Sequence, residues 1–254
     1  MKIAIVTGAS SGIGREFARQ IAAWGTLDEI WAVARRENRL QELARTLKIP
    51  VKIIPVDLTQ KKGIEMLESL LKQEQPQIKI LVNAAGFGKI GDYKNISRLE
   101  SGKMIRLNCQ APVDVTMLAL PYMRKDSHIL QICSTAGFQP LPEMSVYAAT
   151  KAFLLRYSRA LRWELMNRGI VVTAVCPYWV RQTEFIQKAS TGSHSVRHFP
   201  LAGTPEKIVW QALRDSLSGA AVSTPGLVGT AQRILTKLLP EELVIAGWEL
   251  LRRL

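Results

Sequence analysis

The chain opens on Met1-Lys2-Ile3-Ala4-Ile5-Val6 and passes at once into Thr7-Gly8-Ala9-Ser10-Ser11-Gly12-Ile13-Gly14. An apolar run of that length without polar alternation suits a parallel strand buried on both faces. Beyond the glycines, Ile13, Phe17, Ile21 and Trp24 recur at helical spacing, and Gly25 supplies a stop signal. Strand, glycine turn and helix in immediate succession predict an opening βα unit. The turn carries chemistry as well, because a helix N-terminus presents unpaired N–H groups and a dipole that favours negative charge. A pyrophosphate fits such a place. Gly8 is expected to make the tight turn, Gly12 to allow close backbone approach and Gly14 to allow close packing of helix on strand, with Ser10, Ser11 and Ile13 beside the ligand.

The same alternation runs on. Apolar, β-branched segments predict strands at 3–7, 30–34, 51–56, 78–83, 127–133 and 170–176. Amphipathic stretches predict helices at 12–24, 37–47, 60–75, 104–123 and 145–168, a further one from about Thr204 with Pro205 in its first turn, and helical character over 227–254. Strands alternating with helices across short connections imply an α/β fold: one doubly wound parallel sheet, Rossmann-like, with helices on both faces. The expected organisation is a single domain over 1–254, with a cofactor and catalytic core at 1–183, a substrate lid at 184–203 and a C-terminal helical region at 204–254. Ligands in such sheets bind at the strand C-termini beside the topological switch point. Thr7, Ala34, Asp57, Asn83, Ser134 and Pro177 all fall at predicted strand ends.

Charge and cysteine content narrow the function classes. The chain has 254 residues and a net charge of +13. Its basic residues are scattered, and no nucleic-acid motif accompanies them, so no nucleic-acid partner is expected. No apolar stretch reaches the ~18 residues of a spanning helix, and the chain begins directly on its first strand, which leaves no room for a signal peptide. Cys109, Cys133 and Cys176 lack C-x-x-C spacing and read as reduced packing residues of a cytoplasmic protein. His194 and His198 have i,i+4 spacing but no convincing third ligand, and no metal is expected.

Tyr147 and Lys151 stand four residues apart within a predicted helix. That spacing stacks the two side chains on one face, where an ammonium favours ionisation of the phenol. Such a pair can donate and accept a proton near neutral pH. The glycine turn, Asn83-Ala84-Ala85-Gly86, Asn108, Ser134 and Tyr147…Lys151, in that order, resemble the full motif set of the short-chain dehydrogenase/reductase family over roughly residues 1–183.

The resemblance implies roles. Tyr147 would donate the proton in carbonyl reduction, or accept it in alcohol oxidation. Lys151 would lower the Tyr147 pKa and hold the nicotinamide ribose. Ser134 would bond the substrate oxygen, and Asn108 would anchor a water for proton relay. Asp57, with Leu58, would meet the adenine, and Asn83, Ala84 and Gly86 would support the adenosine ribose. Pro177 and Thr183 would reach the nicotinamide end or the pyrophosphate. Cofactor choice is read at the end of the second strand, where an acid selects NAD and an arginine accommodates a 2′-phosphate. Ala34-Arg35-Arg36 stands there, so NADP(H) is expected, with Arg35 as the main phosphate contact and Arg36, Arg39 and Ser10 assisting.

Two departures from the family pattern bear on the substrate. Pro177 is followed by Tyr178-Trp179 in place of the usual glycine, and these rings either narrow the pocket or pack in the core. The closing Asp-Gly-Gly strand is replaced by Ala220-Ala221-Val222-Ser223-Thr224-Pro225-Gly226. Phe138, Leu141, Met144, Tyr178, Trp179 and Phe185 favour an apolar small-molecule ketone or alcohol, of hydroxysteroid or 3-oxoacyl type. A non-catalytic NADP(H)-binding sensor is the competing class. The resemblance further implies a homodimer or homotetramer. The apolar tail with basic flanks suggests docking on the body or a second subunit, or, less simply, attachment to an anionic membrane surface.

Overall fold

The computed structural model describes residues 1–191 and 201–253. The chain alternates strand and helix from its start: β1 (Lys2–Thr7), α1 (Gly12–Ala22), β2 (Glu29–Ala34), α2 (Glu37–Thr46), β3 (Val51–Pro55), α3 (Lys61–Glu74) and β4 (Gln77–Asn83). Then follow α4 (Arg98–Ile105), α5 (Ala111–Ala119), β5 (Met123–Ile132), α6 (Ser145–Leu165) and β6 (Val171–Val175). The chain closes with α7 (Phe185–Ala189), α8 (Pro205–Leu217), β7 (Val222–Ser223), α9 (Leu227–Leu238) and α10 (Glu241–Arg253). The strands form one parallel sheet in the order β3-β2-β1-β4-β5-β6-β7. Strand order therefore reverses between β1 and β4, which opens a crevice at their C-terminal ends.

Alternate residues of each strand feed opposite layers. Ile3 and Ile5 pack with Leu67 and Leu71 of α3, Val115 of α5 and Leu161 of α6. Ala4 and Val6 pack with Phe17 and Ile21 of α1, Leu40 of α2 and Val209 of α8. The residues named are at most 4% exposed, so the unbroken apolar runs of β1 and β4 are explained by two-sided burial. Each Ile or Phe so buried stabilises the fold by about 1.5–3 kcal/mol relative to an exposed one.

Four sequence expectations are adjusted. The helix predicted at 104–123 is two helices joined through a π-helical turn, Arg106–Gln110, with a short 3₁₀ turn, Leu120–Tyr122, at its end. β5 then begins at Met123 rather than residue 127. The helical tail breaks at Leu239, which is extended, and Pro240, which cannot continue a helix. A seventh strand closes the sheet through Ala174↔Val222 and Val175↔Ser223, without the Asp-Gly-Gly pattern. The expected lid includes the short helix α7; His194, His198 and the middle of that segment lie outside the described residues. Among the described residues, no helix is long and apolar enough to cross a membrane.

Candidate active site

The crevice at the β1/β4 switch is built by glycine. Gly8 has φ +69°, and a Cβ there would fall 2.8 Å from Ala85 N and 2.9 Å from Ala84 O. Any side chain at Gly8 would therefore push β1 and β4 ends apart. At Gly14 a Cβ would meet Gly8 O at 2.4 Å, so α1 starts hard against the turn only because Gly14 has none. The Thr7 hydroxyl accepts the N–H groups of Ala84 and Ala85, both at 3.1 Å, and locks the two strand ends together. Gly12, at φ +54°, faces the Thr183 side chain across the opening.

A cleft of about 350 Å³ extends from this turn to the C-terminal helices. Ser10, Ser11, Arg35, Arg36, Asp57 and Leu58 line its first end. Arg36 Nη2 donates to Ser11 Oγ at 2.8 Å and Ser10 Oγ at 3.3 Å, while its Nη1 meets Glu184. Arg35 projects outward, 72% exposed, with Asp57 at 3.9 Å. Arg36 rather than Arg35 thus makes the contacts to the glycine turn. Arg39 pairs with Glu42 on the α2 surface and does not line the cleft. Ala84, Gly86, Pro177 and Thr183 line its middle.

Asn83 and Asn108 stand behind the wall. Asn83 Nδ2 donates to Thr116 Oγ1 at 3.0 Å, inside the layer between β4 and α5. Asn108 occupies the π-helical turn, a distortion frequent at functional sites. Its Oδ1 accepts Phe87 N–H at 3.1 Å, and its Nδ2 donates to Phe87 O at 2.8 Å and Thr150 Oγ1 at 3.1 Å. One side chain therefore couples the loop after β4 to α6 one residue before Lys151.

Tyr147 and Lys151 come from the first turns of α6 and are 7% and 6% exposed. Lys151 Nζ donates to Ile132 O at 2.7 Å and lies 5.7 Å from the centre of the Tyr147 ring. Ser134, just past the end of β5, caps the 3₁₀ turn Thr135–Phe138 by accepting Ala136 N–H at 3.1 Å, and it lines the cleft together with Tyr147. Burial pushes the Tyr147 phenol up, with the Ser134 hydroxyl working the other way. Burial likewise pushes the Lys151 ammonium down. Both side chains are almost wholly buried at the cleft wall, and that burial is the largest influence on each. The cysteines, distant in sequence, come near here too: Cys133 lines the cleft, Cys109 Sγ meets Thr150 O at 3.8 Å, and Cys176 packs with Cys133. All three are free thiols, and Cys109 is only half-buried.

The far end of the cleft is apolar. Leu141, Met144, Tyr178, Trp179 and Phe185 line it, and the Phe185 ring lies 5.5 Å from that of Tyr147. Tyr178 and Trp179 thus both face the cleft, and Trp179 also packs in the cluster around Met144 and Tyr147. Phe138 does not line the cleft and instead packs against Cys133, Leu154 and Cys176. Sequence reasoning missed Phe87, Gly88, Glu184, Lys188, Gln232 and Trp248, all of which line the cleft. Trp248, in α10, donates Nε1–H to Pro142 O at 3.2 Å, and Gln232, in α9, donates to Gln139 Oε1 at 3.0 Å. Nothing local in 227–254 signals that two of its side chains reach the site; only the fold brings them there. Among the described residues, no cluster of His, Cys, Asp and Glu could hold a metal ion.

This arrangement matches known proteins. The short chain dehydrogenase family model matches residues 2–193. An uncharacterised oxidoreductase of Staphylococcus epidermidis is 37% identical over 181 residues, covering 69% of this chain and 76% of its own length. A short-chain dehydrogenase of Sphingobium yanoikuyae, solved with NADPH, is 29% identical with a TM-score of 0.78 over 95% of this chain and 97% of its own. A bulky-bulky ketone specific alcohol dehydrogenase of Comamonas testosteroni is 28% identical, with a TM-score of 0.74 over 95% and 96% of the two chains.

Proposed function

From the premise that the chain belongs to the short-chain dehydrogenase family, and is an oxidoreductase of that family, we propose that it is an NADP(H)-dependent enzyme interconverting a carbonyl and a secondary alcohol on an apolar substrate. The observation that carries the reading is the convergence of Ser134, Tyr147 and Lys151 on one buried point between a glycine cradle and an apolar pocket. The cradle fits a dinucleotide: Cβ atoms at Gly8 and Gly14 would fill it, and the N-terminus of α1 opens onto it. Arg36, Arg35 and Ser10 are suited to a 2′-phosphate, and Asp57 with Leu58 to the adenine end. NADPH, when bound, supplies the hydride.

The chain's own groups handle the proton. Tyr147 donates it to the carbonyl oxygen in reduction, and its raised pKa keeps the phenol protonated for that purpose through neutral pH. Ser134 bonds the same oxygen and fixes its direction. Lys151 holds the ribose hydroxyls and stabilises the phenolate as it forms. Asn108, bonded to both Phe87 and Thr150, holds the loop after β4 at its distance from α6 and anchors the relay that reprotonates Tyr147. Leu141, Met144, Tyr178, Trp179 and Phe185 exclude water and favour an apolar ketone or its alcohol, of the ketosteroid or 3-oxoacyl class. Exposed Met117, Phe153, Trp163 and Met166 on α5, α6 and the turn after it support a homodimer through those helices, which light scattering checks directly.

Loss of absorbance by NADPH, and separately by NADH, against ketosteroids, acyl thioester ketones and bulky aryl ketones tests the proposal. Turnover with NADPH at least tenfold better in kcat/KM than with NADH supports it. Tight NADPH binding without turnover of any member of the panel counts against the substrate class, and a preference for NADH overturns the cofactor assignment.

A further inference from the structure

The cofactor end of the cleft contains an acid that its chemistry does not call for. Glu184 follows Thr183 at the start of α7, on the segment over the cleft, and its carboxylate lies 2.9 Å from Arg36 Nη1. Arg36 is otherwise committed to Ser10 and Ser11 at the glycine turn. The pair therefore spans the opening, from the loop after β2 on one side to the loop after β6 on the other. Lys188, one turn along α7, bonds the same carboxylate. Between the two cations, Glu184 is held at a pKa of about 2 and stays charged at every working pH. Both partners are 36% exposed, so the pair is accessible to a competing anion from solution.

Resting on the NADP(H) reading above, we propose that Glu184 is a built-in competitor of the cofactor's 2′-phosphate for Arg36, and so sets how strongly the protein prefers NADPH over NADH. The 2′-phosphate is an anion with the same demand for a bidentate guanidinium as a carboxylate. Arg36 is the cation of the opening that faces the glycine turn, and Glu184 occupies the Nη1 edge a phosphate would take. Binding NADPH exchanges one anion for another on Arg36, or leaves both anions crowded against it. Either way the phosphate gains less than it would on a free arginine. NADH lacks the phosphate, leaves the Arg36–Glu184 pair intact and is indifferent to the charge at Glu184. The lysine at position 188 takes up the displaced carboxylate, so the exchange costs no unpaired charge.

Glu184→Gln keeps the side chain's size and removes the charge. Dissociation constants for NADPH and NADH, measured by fluorescence on wild type and variant at fixed ionic strength, test the proposal. The expected result is NADPH binding tightened about three- to tenfold in the variant, with NADH within about twofold of wild type. The Arg36→Ala variant supplies the other arm, losing most of the NADPH preference whether or not Glu184 is present. Unchanged or weakened NADPH binding in Glu184→Gln overturns the proposal, as does an equal change for both cofactors, which would mean that Glu184 acts through the position of α7. A wild-type preference for NADH overturns the cofactor reading itself and the proposal with it, and that arm is read without any variant.

Discussion

Gly88→Ala tests how tightly Tyr147 is held. A Cβ at Gly88 would lie 2.8 Å from Tyr147 Cδ2, 3.1 Å from Cε2 and 2.9 Å from Phe185 Cζ. An ordinary carbon–carbon contact begins at about 3.5 Å, so the added methyl overlaps both rings by roughly half an ångström. Phe185 can yield, because it belongs to the short helix α7 and is partly exposed. Tyr147 has less freedom: it belongs to α6, is 7% exposed and packs in the cluster with Met144 and Ala148. Its ring must tilt, and the hydroxyl at the far end swings away from Ser134 and the reacting oxygen. Misplacement by about 1 Å costs on the order of a hundredfold, so kcat is expected to fall about 10- to 100-fold. That corresponds to about 1.4–2.8 kcal/mol of transition-state stabilisation. The affinity for NADPH should stay within about threefold, since the glycine turn lies elsewhere. Gly247→Ala is the control: nothing lies within 4 Å of its added methyl, and it sits inside α10. It should leave kcat unchanged and gain up to about 1 kcal/mol of stability from helix propensity. Wild-type turnover in Gly88→Ala, measured by steady-state NADPH oxidation, would refute the claim that Tyr147 is rigidly positioned.

Three further outcomes are expected. Gly14→Ala, whose Cβ would meet Gly8 O at 2.4 Å, should displace α1 from the turn, abolish measurable cofactor binding by calorimetry and lower the melting temperature. Phe17→Ala, emptying a site with no solvent exposure between α1 and the sheet, should cost about 3–5 kcal/mol in urea unfolding with an unchanged m-value. Because burial raises the Tyr147 pKa, alcohol oxidation, which needs the phenolate, should rise steadily from pH 7 to 10, whereas reduction, which needs the phenol, should not rise with it; oxidation fastest near pH 6 would contradict this.

The parallel sheet was legible because two-sided burial writes itself as uninterrupted apolar strands, and the glycine turn because no other residue fits Gly8 and Gly14. Boundaries failed where tertiary structure overrode local pattern. The π-helical turn at Arg106–Gln110 has no compositional mark; within it Asn108 bonds across to Phe87 and Thr150, partners distant in sequence. β7 is only two residues long, too short for a period. Pro240 was a readable break in the C-terminal helix and outweighs the apolar spacing around it. Tyr147, Lys151 and Ser134 fall together as expected, while the choice between Arg35 and Arg36 depends on side-chain direction, which adjacent identical residues cannot reveal. Phe138 packs with Cys133, Leu154 and Cys176 rather than lining the cleft, a side-chain direction that the local sequence does not display.

The central claim is that Tyr147 carries the proton at a carbonyl oxygen, and Tyr147→Phe tests it most directly. With a ketone turned over by the wild type, the variant should bind NADPH within about threefold of normal and lose at least a thousandfold in single-turnover reduction, equivalent to about 4 kcal/mol. Reduction within tenfold of wild type, with NADPH bound normally, would show that another group supplies the proton and would contradict the account.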